Sequence, residues 1–156
     1  MFQIQPLAAD QFADLNGFTD EELAARDIQV HISDGGFPCR VSLADAAAGE
    51  RVYLLNFEHQ PGKSPYQSRH AIFVKAGAEE SHPEPGKIPA SIISRLLSVR
   101  AFNSRHEIVD ADVVEGTDAE GTISQFFENP KVDYIHLHYA KRGCFAAKVT
   151  RLDAWT

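Results

Sequence analysis

The segment Tyr134-Ile135-His136-Leu137-His138-Tyr139-Ala140-Lys141-Arg142-Gly143-Cys144 places two histidines, a Lys-Arg pair and a cysteine within eleven residues. Side chains alternate along a strand, so His136 and His138 point to one side of a sheet and Ile135 and Leu137 to the other. Paired imidazoles can coordinate a metal, carry a proton or hydrogen-bond an anion. A thiol beside cations is biased toward the thiolate, its nucleophilic form. A second thiol, Cys39, follows the Gly35-Gly36-Phe37-Pro38 turn and precedes Arg40.

Three chemistries compete for these residues. A zinc site would draw on Cys39, His59, His136, His138 and Cys144, the thiolate and imidazole donors that zinc takes. The chain has no CxxC or HExxH spacing, and the hairpin register below sets Lys148 across from His136, where it would repel a cation. No metal ligand is therefore assigned. A nucleophile site would pair Cys144 with His138 as base. Cys39 alternates with Val41 and Leu43, which is the pattern of an inert core thiol. His59 alternates with Tyr53, Leu55 and Phe57, which suits a core or edge histidine. An anion pocket would use the forked guanidinium groups of Arg40 and Arg142, with Phe57, Tyr66 and Tyr139 as walls. The pocket is the preferred reading. It assigns Arg40, His59, His136 and Arg142 to ligand binding and Cys144 and His138 to any catalysis. A zinc-binding protein and a non-catalytic homodimeric module are the alternatives; no cofactor is assigned.

The elements that carry these residues follow from pattern. Alternation predicts strands over 28–32, 39–43, 52–59, 71–75, 92–102, 108–114, 132–139 and 144–152. Thr19-Asp20-Glu21-Glu22 and Thr117-Asp118-Ala119-Glu120 read as capping boxes. The second opens a helix with Ile123, Phe126 and Phe127 on one face, stopped by Pro130. The stretch from Ala76 to Pro89 reads as an exposed loop. Seven to eight strands with two or three short helices imply a single α+β domain, mostly antiparallel sheet, over residues 1–156.

The last two strands can be registered. A Lys141-Arg142-Gly143 loop pairs Tyr139 with Phe145, Leu137 with Ala147 and Ile135 with Val149, giving one wholly apolar face. The other face then carries His138 opposite Ala146, His136 opposite Lys148, and Cys144 diagonal to His138. Asp110 and Asp112 share the face of another strand and read as a solvated outer surface.

Composition narrows the function classes. The net charge is -7, and no basic stripe marks a nucleic-acid surface. No segment has the length of a membrane span or the charge pattern of a signal peptide, and two cysteines make no disulfide scaffold. A cytoplasmic location is expected. No Gly-rich phosphate loop, GxSxG elbow or dinucleotide fingerprint occurs. Ten phenylalanines and the open edges of a sheet make a homodimer an expectation.

Several separated blocks in one order resemble the bacterial domain-of-unknown-function family numbered 1203. They are Phe37-Pro38-Cys39-Arg40-Val41-Ser42-Leu43, Leu54-Leu55-Asn56-Phe57-Glu58-His59-Gln60-Pro61 and Ser64-Pro65-Tyr66, then Ile72-Phe73-Val74, Val109-Asp110-Ala111-Asp112-Val113-Val114, His136-Leu137-His138 and Arg142-Gly143-Cys144. The resemblance implies a compact bacterial cytoplasmic protein and carries no activity.

Overall fold

A computed structural model describes residues 1–152. In chain order the strands are β1 (Phe2–Gln5), β2 (Gln29–Ile32), β3 (Phe37–Pro38), β4 (Asp45–Ala46), β5 (Arg51–Gln60), β6 (Ser68–Lys75), β7 (Leu96–Phe102), β8 (Ile108–Glu115), β9 (Tyr134–Tyr139) and β10 (Phe145–Arg151). The helices are α1 (Asp20–Ala24), α2 (Ala90–Ile93) and α3 (Ala119–Phe127). The fold is α+β, as expected. β1, β3 and β4 add to the predicted strands; β3 and β4 have two residues each, too few for a period of two to register. Among the described residues no helix is long and apolar enough to cross a membrane.

Among the described residues the strands form three antiparallel sheets: β1-β10-β9-β7-β8, β2-β5-β6 and the short pair β3-β4. One face of the five-stranded sheet carries Leu97, Val99, Ile135, Leu137 and Val149, all fully buried with Ile123 and Phe126 of α3. That matches the apolar stripe read from the helix. A second core beneath the three-stranded sheet gathers Phe12, Leu15, Leu23, Cys39, Val41, Tyr53, Ile72 and Val74. The opposite face of the large sheet meets the end of β5 and holds the chemistry described below.

Thr19 forms the predicted capping box, accepting from Glu22 N–H at 3.1 Å while Glu22 Oε1 reaches back to Thr19 N–H. Thr117 forms none. Gly116 N–H donates to Arg95 O at 2.9 Å, which holds residues 116–118 in a 3-10 turn, and α3 starts after it without a side-chain cap. The strand expected over 39–43 is a tight turn, closed by Leu43 N–H to Cys39 O and Cys39 N–H to Ala44 O, with Leu43 at φ 54. Cys39, Val41 and Leu43 are all buried there, so the alternation reported burial rather than strand pairing. Residues 92–102 divide between α2 and β7.

Candidate functional site

β9 and β10 pair with Leu137 opposite Ala147, His136 opposite Lys148 and Ile135 opposite Val149, the register that the apolar face predicts. Near the turn the pairing differs. The hairpin closes through Gly143 N–H to Tyr139 O at 2.8 Å and Tyr139 N–H to Cys144 O at 2.9 Å, with Gly143 in the left-handed region at φ 78. A bulge between Phe145 and Ala147 then sets Phe145, not Ala146, opposite His138. A bulge adds one residue to one strand and flips the side chains beyond it. Phe145 therefore lies on the histidine face, while Ala146 and Cys144 pack with the main core. Strict alternation cannot register that extra residue.

A second bulge brings in the third histidine. Phe57 packs on Phe12 in the core under the small sheet, with ring centroids 5.9 Å apart. The β5–β6 register shifts between Phe57 and Gln60, and His59 turns away from the face that alternation gives it. Its ring stacks on Phe145 at 5.6 Å and meets His138 edge-on at 4.9 Å. His136 lies 6.2 Å from each of the other two imidazole centroids. One nitrogen of each ring is within 4.8 Å of the other two. The three rings come from two different sheets.

Each ring also has a buried nitrogen with no hydrogen-bond partner among the described residues. His59 Nδ1, His136 Nδ1 and His138 Nε2 are buried and make no hydrogen bond. His136 and His138 are 3% and 1% exposed, and His59 is half-buried. The tautomer of His138 is set by its other nitrogen, Nδ1, which is 2.9 Å from Gly143 O. A carbonyl only accepts, so Nδ1 carries the proton and Nε2 presents a lone pair. Burial is the main cause that pushes the three imidazoles down, His59 to about 4, His136 to about 2 and His138 to about 3. The positive charge of Arg100 lowers all three further. Near neutral pH the cluster is therefore three uncharged imidazoles, and on His138 Nε2 is the nitrogen that carries the lone pair. Among the described residues no cysteine or carboxylate joins them.

The surroundings are aromatic and cationic. Phe145 lies 5.1 Å from His136 and 5.8 Å from His138, and Phe102 lies 4.9 Å from His136. β7 sets Ser98 opposite His138 and Arg100 opposite His136. On the same face, the Tyr134 hydroxyl bonds Gln60 Nε2 at 2.8 Å and His106 Nδ1 at 2.7 Å. His106 sits at φ 62, and a Cβ at Gly62 would overlap its ring, so only glycine fits there. Alternation from His136 signalled Tyr134. Gln60, Arg100, His106 and Phe145 had no such signal, because a bulge or a distant strand places them.

Arg40, Arg142 and Cys144 lie elsewhere. They line a cleft of about 720 Å³ with Phe37, Phe73, Arg95, Tyr139 and Lys141. Arg40 is 1% exposed, and its Nε donates to Phe145 O at 2.7 Å while Nη1 donates to Pro38 O. Its guanidinium is 5.0 Å from the Tyr139 ring. Arg95 is likewise held by Asp45 at 2.9 Å. Lys141 and Arg142 are exposed at the hairpin tip. Cys39 is a core thiol whose Sγ accepts from Lys75 N–H at 3.3 Å and Ser42 N–H at 3.5 Å. Asp110 and Asp112 are exposed, as expected.

The family described as "Protein of unknown function (DUF1203)" matches residues 36–151, a span that includes both bulges and all three histidines. The chain belongs to that family. No curated protein and no solved structure matches it.

Proposed function

We propose that this DUF1203 protein binds a divalent transition-metal ion through His59, His136 and His138 and keeps a coordination position open. The observation that carries this is the convergence of three imidazole rings, each of which has a buried nitrogen without a hydrogen-bond partner among the described residues. An unpartnered buried polar group costs about 1–3 kcal/mol. A metal ion satisfies all three at once, and neutral imidazole is the form that coordinates. His138 also has the supporting feature of such ligands, its second nitrogen donating to a carbonyl. Metal–nitrogen bonds of about 2.0–2.1 Å hold the nitrogens roughly 3.3 Å apart, so binding would draw the rings inward by about an ångström. Three protein ligands with no fourth is the pattern of sites that keep a position for water or substrate. Lys148, whose ammonium lies over the Tyr134 ring at 4.6 Å, is exposed to solvent and its repulsion is screened.

The test is metal content and stability of protein purified without chelator and then loaded with zinc or cobalt. One ion per chain is expected, with a melting point raised on the order of 10 °C at saturating metal and lowered again by EDTA. If the His136→Leu chain binds the same ions equally well, this reading fails.

A second reading, a small anion held beside the hairpin, is favoured by the cleft that gathers Lys141, Arg142, Tyr139 and Cys144. Arg40 and Arg95 are committed to protein partners, so Lys141 and Arg142 would carry the contact. A thermal shift with phosphate or small carboxylates that is unchanged in Arg142→Ala would remove it.

A further inference from the structure

Arg100 lies on the histidine face, and no carboxylate among the described residues answers its charge. Its Nε donates to Ser98 Oγ at 3.1 Å, which lays the guanidinium along β7 beside the two histidines of β9. Among the described residues it makes no ion pair, unlike Arg51, Arg69, Arg95 and Arg105, each of which has a carboxylate within 4.0 Å. It is half-buried, like His59. Lys148 adds a cation from the strand on the other side of His136. The three histidines bring no negative charge. A divalent ion among them would add two positive charges beside the guanidinium of Arg100, which no carboxylate among the described residues balances.

We infer that the open position of this centre takes a small carboxylate or similar oxyanion, with one oxygen on the metal and another on the Arg100 guanidinium. The inference rests on the metal reading and names its ligand class. A guanidinium offers parallel N–H donors that match the two oxygens of a carboxylate, whereas the lone pair of His138 Nε2 repels an anion unless a metal lies between them. The pieces are thus ordered: imidazole lone pairs, metal, anion, guanidinium. The same charge logic separates this site from a closed structural zinc site, where thiolates balance the metal and no exogenous anion is needed.

Cobalt(II) tests this, because its visible spectrum reports both loading and exogenous ligands. The loaded wild-type protein is titrated with acetate and with azide, alongside Arg100→Met and Arg100→Lys. Saturable spectral changes are expected in wild type. Arg100→Met should keep one cobalt per chain yet bind acetate roughly tenfold or more weakly, and Arg100→Lys should recover part of the loss. If cobalt binds but neither anion alters its spectrum, or if Arg100→Met binds acetate like wild type, the inference is overturned and the metal reading stands. If cobalt fails to bind the folded wild-type chain, both fall.

Discussion

The two faces of β9 bury six consecutive residues in different ways. Ile135, Leu137 and Tyr139 face α3 and the main core, where close packing satisfies them. Tyr134, His136 and His138 face the end of β5, and all three are buried as well. Tyr134 is partnered by Gln60 and His106, whereas His136 and His138 each keep a buried nitrogen with no hydrogen bond. Burial on the first face is self-sufficient. On the second it leaves unpartnered polar nitrogens that apolar side chains of the same shape would not have, at a cost in stability. The hairpin cleft differs again, since its buried Arg40 is satisfied by carbonyls and its half-buried Arg95 pairs with Asp45.

Three experiments break or sharpen the contrast between the faces. The largest effect belongs to the apolar side: Leu137→Ala should cost about 2–5 kcal/mol in urea unfolding, the range for a fully buried leucine. A loss below about 1 kcal/mol would mean that this face is less tightly packed than its burial indicates.

Acid comes next and acts on the other face. The folded values of His136 and His138, about 2 and about 3, lie below the unfolded value near 6.5, so the unfolded chain takes up protons first. Their contribution to stability is present above about pH 6.5 and is lost as the pH falls toward the folded values. The metal-free protein should lose roughly 3 kcal/mol per pH unit below about pH 6 from these two groups together. A urea midpoint that stays flat from pH 7.5 to 5 would contradict that. Saturating metal should move the acid transition downward, because protons and metal compete for the same nitrogens.

The smallest effect is the most diagnostic. His136→Leu removes an unpartnered nitrogen and keeps apolar volume, so in chelated protein its stability should lie within about 1 kcal/mol of the parent. The metal-dependent rise in melting point should vanish. A loss as large as that of Leu137→Ala would show that His136 is a packed core residue with nothing to bind.

Much of the scaffold was legible in residue order. The period of two in Tyr134–Tyr139 separated the two faces, the apolar pattern set three of the cross-strand pairs, and Thr19 with Glu22 marked a helix start. Each depends only on neighbours in the chain. The histidine pair was visible for the same reason, as was the core role of Cys39. What joins His59 to that pair was not. His59 arrives through a bulge in β5, Phe145 crosses faces through a bulge in β10, and Arg100 becomes a neighbour because β7 inserts beside β9. One extra residue reverses every side chain beyond it without leaving a mark in composition or period. Local pattern thus determined which residues could do chemistry and which face of β9 they occupy. Tertiary structure alone decided their company, joining His136 and His138 to His59 and Arg100 and leaving Cys144, Arg40 and Arg142 around a separate cleft.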